Sequence, residues 1–131
     1  MTDHLILVVP FNHPLARKKS VKAADLRKER FIAREAGSAT RAAVANHLQK
    51  ADLKVESVME MENPESVKKA VQSGLGIAFI SRFAVETELK AKSLVAVRVK
   101  DLDINRELKI VYRKDKHLGR AAQTFIEMAQ Q

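Results

Sequence analysis

Short apolar runs separated by polar stretches form the main hydrophobic pattern of this chain. Runs of this kind, bounded by turn residues, predict strands buried within a sheet. A further stretch alternates apolar and polar positions from Val55 to Met61, which predicts a half-buried strand. The apolar runs are Leu5–Val9, Phe31–Ala33, Ile77–Ile80, Leu94–Val97 and Leu108–Tyr112.

Helical patterns occupy most of the segments between these strands. Ser38 or Thr40 can cap a helix that runs to about Lys50, and Asn63 followed by Pro64 is a strong helix start. We expect the remaining helical segments to be a single turn over Ser20–Leu26, a helix capped by Ser81 that runs through Leu89, and a closing amphipathic helix over Gly119–Gln131.

The stretch from Gly74 to Ser81 is the most informative part of the pattern. Gly74 can adopt the left-handed conformation that ends a helix, and Gly76 lets the backbone pass close to a neighbour. The Ile77–Ile80 run follows at once, which predicts a βαβ crossover within a parallel sheet. Because strands and helices alternate, we expect a three-layer α/β sandwich. Ligands of such sheets bind beyond the carboxyl ends of strands, where Ser81 stands.

Length and composition limit the possible classes of protein. The chain has 131 residues, enough for one ordinary domain, and no apolar run long enough to span a membrane. It has no cysteine, which excludes disulfides and thiolate chemistry and fits a reducing cytoplasm. We see no targeting segment and therefore expect a cytoplasmic protein.

The net charge of +8 raises a nucleic-acid partner as an alternative. The basic residues are dispersed along the chain, however, and aromatic residues make up only 5% of it, too few for a base-stacking platform. A free-standing basic α/β module that binds nucleic acid is therefore the second hypothesis, behind a small-molecule binding domain.

Catalytic, metal and cofactor motifs are missing from the sequence. The four histidines lack metal-ligand spacing, and no nucleophile elbow, phosphate loop or dinucleotide fingerprint occurs. Glu60 and Glu62 share one face of a predicted strand, which is more typical of a solvated surface than of an acid–base pair. We expect no enzyme activity, no metal and no cofactor.

Small polar residues at predicted helix starts are better candidates for binding. Backbone N–H groups at a helix N-terminus attract anions. Gly37 permits close backbone approach, Ser38 and Thr40 offer hydroxyls, and Arg41 could pair a carboxylate or phosphate. One helix cap needs only one hydroxyl, so the sequence does not decide whether Ser38 or Thr40 caps the helix or contacts a ligand. The same open choice applies to Ser81, whereas Asn63 is better explained as a cap.

Taken in order, these pieces resemble the effector-binding domain of LysR-type transcriptional regulators. Each piece is weak alone, but their order and spacing cover nearly the whole chain. The matching pieces are Leu7–Pro10 with His13–Ala16, Val21–Leu26, Phe31-Ile32, Glu35 with Gly37-Ser38 and Thr40-Arg41, Glu65–Lys68 with Ala70-Val71, Gly74–Ala78, Leu94–Val97, Arg106–Val111, and Ala122 with Phe125-Ile126.

The resemblance implies a two-lobed fold of the periplasmic-binding-protein type II kind, with a small effector bound between the lobes. Residues 1–10 would be a crossover strand from lobe one, residues 11–97 lobe two, and residues 98–131 the return crossover with a strand and helix of lobe one. The DNA-binding domain and most of lobe one would lie outside this chain. The closing helix would then lack its packing partner, so we expect it to be displaced or to self-associate.

The resemblance also implies partners and contacts. The expected ligand is a small anionic metabolite, and DNA would be bound only through the missing N-terminal domain. The expected assembly is a homo-oligomer, with the Thr40–Lys50 helix facing a partner. The candidate effector contacts are Gly37, Ser38, Thr40, Ile80, Ser81 and Phe83. The family commonly has proline where this chain has Ser81, which adds a hydroxyl to the wall of the site.

Overall fold

Strands and helices alternate along most of the chain in the computed structural model, which describes residues 1–131. The strands are β1 (Thr2–Pro10), β2 (Arg30–Arg34), β3 (Glu56–Met61), β4 (Ala78–Ser81), β5 (Leu94–Val97) and β6 (Ile104–Glu107). The helices are α1 (Ala39–Lys50), α2 (Pro64–Gln72), α3 (Glu86–Lys90) and α4 (Arg120–Gln130), with short 3-10 turns over Pro14–Arg17, Ala23–Leu26 and Arg82–Ala84.

β1 is the central strand, and it runs antiparallel to all its neighbours. It pairs with β4 on one side, while β5 and β6 pair with its two halves on the other. The prediction of a parallel sheet is therefore wrong for this part of the molecule. The continuous apolar run of β1 arises because both faces of the strand are covered, and coverage does not fix strand direction.

The predicted βαβ crossover is present beside this antiparallel region. β3 pairs in parallel with β2, α2 follows, and the chain then returns at Ile77, which bridges in parallel to Phe31 of β2. Gly76 makes this approach possible, since a Cβ at Gly76 would lie 2.6 Å from the carbonyl oxygen of Arg30. The sheet is therefore mixed, with its parallel part built around β2.

Alternate residues of β1 belong to two separate hydrophobic cores. Leu5, Leu7 and Val9 pack into the core that contains Leu48 of α1. Val8 packs into the second core, which contains the apolar side of α2. Strand side chains alternate between faces, so α1 and α2 cover opposite sides of the sheet. The predicted three-layer α/β sandwich is confirmed.

The predicted helix boundaries were correct where a local signal was strong. The side chain of Asn63 accepts a hydrogen bond from the Ser66 N–H at 2.9 Å, and Gly74 has a positive φ of 76° just after α2. The predicted cap at Ser81 is wrong, because this side chain makes no capping bond. A 3-10 turn follows Ser81 instead, and α3 starts only at Glu86.

The end of the chain differs most from the prediction. The expected strand over Leu108–Tyr112 does not form, because the ladder with β1 ends at Glu107 and only Leu108 makes a further backbone bond, to Met1. The α4 helix forms as expected, but none of its residues is buried. It therefore lies undocked from the rest of the chain, in agreement with the expectation of a displaced helix. No helix in the structure is long and apolar enough to cross a membrane.

Candidate functional site

A cavity of about 190 Å3 opens where the ends of β2 and β4 meet the start of α1. Its wall is mostly hydrophobic, and few polar side chains reach it. This combination is typical of small-molecule sites, in which polar groups orient a ligand against an apolar surface. The polar side chains in the wall are those of Arg34, Thr40, Arg41, Ser57, Ser81 and Arg106.

A buried carboxylate organises one side of this cavity. Asp3 of β1 is only 1% exposed, and its Oδ2 accepts a 2.9 Å hydrogen bond from Nε of Arg106 and forms an ion-pair contact with Nη2, also at 2.9 Å. Its Oδ1 accepts a 2.7 Å hydrogen bond from the Ser81 hydroxyl. A buried charge needs such partners, and both oxygens of the Asp3 carboxylate have one.

Thr40 completes this arrangement from the other side. Nη1 of Arg106 donates a 2.8 Å hydrogen bond to Oγ1 of Thr40, at the start of α1. The four side chains Asp3, Thr40, Ser81 and Arg106, called here the polar network, therefore join β1, α1, β4 and β6. Three of them, all except Asp3, line the cavity. A planar guanidinium with fixed donors suits this role, because it holds both partners in one geometry.

The two other arginines in the wall are paired with carboxylates at the surface. Arg34 donates to both oxygens of Glu35, at 2.9 and 3.0 Å, and these bonds hold the pKa of Glu35 below its usual 4.5. Arg41 donates to Glu60 and to the carbonyl oxygen of Arg34. All three arginines thus face a carboxylate, so a ligand would meet hydrogen-bond donors and no large excess of charge.

The structure brings together three of the six predicted contact residues. Thr40, Ile80 and Ser81 line the same cavity. Ser38 and Gly37 precede α1 outside its wall, where Ser38 acts as the helix cap, accepting from the Arg41 N–H at 3.4 Å. Phe83 is also outside the wall and is 55% exposed. The sequence did not decide which of Ser38 and Thr40 caps α1. In the structure Ser38 is the cap, and the Thr40 hydroxyl is hydrogen-bonded to Arg106.

Sequence reasoning missed the two charged members of the polar network. Asp3 and Arg106 are 103 residues apart, and no local motif links them. The one available signal was a lone acidic residue just before the apolar Leu5–Val9 run. A carboxylate on a strand that becomes buried requires a cationic partner somewhere in the chain.

The arrangement suits binding more than chemistry. No group of three or more His, Cys, Asp or Glu side chains in residues 1–131 is placed to hold a metal ion. Hydroxyl and guanidinium groups on rigid elements can orient an oxyanion, and the apolar wall can hold a carbon skeleton.

Comparison with known proteins assigns the chain to a family. The model for the LysR substrate binding domain matches residues 1–131. A RuBisCO operon transcriptional regulator from Allochromatium vinosum is 36% identical over 127 residues, which cover 97% of this chain and 42% of that protein. The HTH-type transcriptional activator CmpR from Synechocystis is 33% identical, with the same coverage of both chains. These relatives are transcriptional regulators, and this chain spans about two fifths of their length.

Solved structures agree with this assignment. The regulatory domain of Synechocystis PCC6803 CcmR, solved in complex with 2-PG, has a TM-score of 0.81 at 27% identity, covering 98% of this chain and 62% of that one. The effector binding domain of QuiR in complex with shikimate has a TM-score of 0.75 at 17% identity and covers 98% of this chain and 60% of that one, which shows a shared fold. The fold is of the periplasmic-binding-protein type II kind, and the chain belongs to the LysR substrate-binding domain family.

Proposed function

We propose that this chain is the effector-sensing part of a LysR-type DNA-binding transcriptional regulator and that it binds a small anionic metabolite in the described cavity. The observation that carries the proposal is the meeting of Thr40, Ser81 and Arg106 at one cavity wall, held by the buried Asp3. Residues from four elements converge there, as they do in sites built to orient a ligand.

Two further features support an anion as the ligand. Arg106 has five N–H groups, and each of its three nitrogens contacts Asp3 or Thr40, which leaves one further N–H on each terminal nitrogen for a ligand. The Asp3 carboxylate holds the guanidinium in place and itself lies almost out of contact with solvent. Donors that are fixed before the ligand arrives lower the entropic cost of binding.

In this proposal the cavity is one side of a cleft, and the second side belongs to a lobe outside this chain. A ligand that touches both sides favours the closed state in proportion to its differential affinity for that state. The closed state would change DNA affinity through the DNA-binding domain. Ile80 supplies apolar wall, while Gly37, Ser38 and Phe83 remain predicted contacts on the rim facing the missing lobe.

The wider assembly is part of the same proposal. The regulator would act as a homo-oligomer in the cytoplasm, where its operator DNA lies, and by binding alone without catalysis. The domain division at residues 10 and 97 likewise stays a prediction. β6, which pairs with β1 and carries Arg106, would then connect the return crossover directly to the site.

An amide-resolved NMR titration of the chain with propionate, succinate and inorganic phosphate tests the proposal. We expect saturable shifts for at least one anion at the amides of Thr40, Ser81 and Arg106. Thr40→Val should weaken binding about fivefold to tenfold, since it removes one hydrogen bond. Thr124→Val, on the exposed α4 helix, is the matched control and should bind as wild type. Absence of saturable shifts at these amides contradicts the proposal.

The family assignment favours this function over the nucleic-acid module. The two also differ in salt dependence, because contacts to phosphates release counterions. Binding of the isolated chain to duplex DNA, measured at several salt concentrations, separates them. We expect no binding to DNA at low salt, whereas steep salt-dependent binding would support the alternative.

A further inference from the structure

The polar network fixes which hydrogen-bonding role each hydroxyl can offer to a ligand. A hydroxyl has one donor and two acceptor positions, a carboxylate only accepts, and a guanidinium only donates. Ser81 and Thr40 are both hydroxyl residues in the same wall, but one faces a carboxylate and the other a guanidinium. The hydrogen-bonding capacity that remains for a ligand is therefore that of an acceptor at one hydroxyl and of a donor at the other.

Ser81 is left as an acceptor. Its single proton is used on Oδ1 of Asp3, at 2.7 Å, and this carboxylate is paired with the Arg106 guanidinium through one hydrogen bond and one ion-pair contact. Reversing the hydrogen bond would place two acceptors against each other in a buried position, which is costly. The lone pairs of Ser81 are what a ligand can meet.

Thr40 is left as a donor. Its oxygen accepts from Nη1 of Arg106 at 2.8 Å, so its proton is directed elsewhere. Arg106 has two unused N–H groups, one on each terminal nitrogen. The same wall therefore offers donors at Thr40 and Arg106 and an acceptor at Ser81.

From this pattern we infer that the site selects a small acid carrying a hydrogen-bond donor, such as a hydroxyl, beside its oxyanion. The oxyanion would accept from Thr40 and Arg106, and the neighbouring donor would bond to Ser81. This inference rests on the proposed function, since it names the ligand class of the same cavity. A plain carboxylic acid leaves the lone pairs of Ser81 without a donor once water is displaced, and such a loss weakens binding.

Lactate and propionate test the inference, because they differ by one hydroxyl. Dissociation constants are measured by NMR titration of the full chain with D-lactate, L-lactate and propionate. We expect one lactate enantiomer to bind wild type about tenfold more tightly than propionate, the effect of one added hydrogen bond.

Variants at Ser81 assign the preference to its hydroxyl. Ser81→Ala should bring the lactate to propionate ratio close to one, while Ser81→Thr, which keeps a hydroxyl, should retain the preference. Ser73→Ala, which removes an exposed hydroxyl just past the end of α2 and outside the cavity wall, is the matched control and should keep the wild-type ratio. The wild-type ratio remains decisive if a Ser81 variant fails to fold.

The outcomes separate this inference from the proposed function. Equal binding of lactate and propionate to wild type, with shifts at Thr40 and Arg106, overturns the inference and leaves the anion site standing. A preference that persists in Ser81→Ala also overturns it. If neither acid nor phosphate gives saturable shifts at the cavity, the proposed function itself fails.

Discussion

The body of the chain (residues 1–107) and the C-terminal segment (Leu108–Gln131) contain the same kinds of local feature in opposite surroundings. Each has an arginine–aspartate pair, an apolar helix face and a glycine next to a regular element, and each has a lysine that pairs with a glutamate, although the partner of Lys109 is Glu107 at the end of the body. In the body these features are enclosed by two hydrophobic cores, whereas in the C-terminal segment they are exposed. The same residue types therefore have different structural effects in the two regions, because burial differs between them.

The polar network belongs to the enclosed part, and this bears on function. Asp3 and Arg106 hold the hydroxyls of Ser81 and Thr40 in fixed roles because the Asp3 carboxylate is out of contact with water and keeps the guanidinium of Arg106 in place. The similar pair in the C-terminal segment, Arg113 with Asp115, has side chains that are 79% and 71% exposed. An exposed pair of this kind fixes little, since water competes for both groups.

The largest expected contrast is between these two ion pairs. Arg106→Met leaves the buried Asp3 carboxylate without its cation, and we expect a loss of about 3–5 kcal/mol in the free energy of unfolding. Arg113→Met should change it by less than about 1 kcal/mol. Urea unfolding of both variants measures the difference, and equal effects would show that the burial of Asp3 does not matter.

The next contrast is between apolar side chains of similar size. Leu26 is fully buried, so Leu26→Ala should cost about 2–5 kcal/mol through lost burial and a residual cavity. Phe125 on α4 is 62% exposed, and Phe125→Ala should leave the unfolding midpoint nearly unchanged. A large loss from Phe125→Ala would mean that α4 packs on the body in solution or in an assembly. Sedimentation of the wild-type chain distinguishes these two cases.

Two glycines give a smaller contrast. Gly76→Ala places a methyl group against the backbone of Arg30, which must shift, and we expect a cost of about 1–3 kcal/mol. At Gly119 a Cβ would meet nothing within 4 Å, so Gly119→Ala should be close to neutral. Thermal or urea unfolding of the two variants checks this, and a neutral Gly76→Ala would show that β2 and β4 are not held as closely as described.

The smallest contrast concerns two lysine–glutamate pairs and pH. Hydrogen bonds from Lys68 outweigh burial and lower the pKa of Glu88 below 4.5. Burial lowers the pKa of Lys68, but the bonds and charges of Glu65 and Glu88 raise it overall. A lowered carboxyl pKa stabilises the fold above its unfolded value, and this stabilisation is lost as pH falls through the folded value.

The stability difference between wild type and Lys68→Met should therefore shrink as pH falls below about 4.5 and through the lowered pKa of Glu88 in the folded state. The control is Lys109→Met, which removes the partner that lowers the pKa of the exposed Glu107. Its stability difference should be too small to follow across the same pH range. A flat profile for Lys68→Met would show that the pair adds no pH-dependent stability.

The contrast between body and C-terminal segment also explains what the sequence could predict. The start and end of α2 are set by local signals, which are Asn63 with Pro64 at the start and Gly74 just after the end. Each signal acts within one helix turn, so the sequence pattern alone located α2. The Leu108–Tyr112 strand failed because a strand requires a partner backbone, and only the sheet shows that the β1 ladder ends at Glu107. The direction of β4 against β1 was missed for the same reason.

The candidate site was predictable in its position more than in its chemistry. Small hydroxyl residues at strand-to-helix junctions placed Thr40 and Ser81 correctly at one cavity. Their opposite hydrogen-bonding roles depend on Asp3 and Arg106, which come from the two ends of the sheet region. Such long-range pairing leaves no local trace in the sequence.

A crystal structure of the chain with the tightest-binding anion from the titrations tests the central claim most directly. The account predicts an anion oxygen within hydrogen-bond distance of both Thr40 Oγ1 and a terminal nitrogen of Arg106, with the Arg106–Asp3 pair intact. An anion bound elsewhere, for example on the exposed basic loop Arg17–Lys19, with the cavity left unchanged, would contradict it.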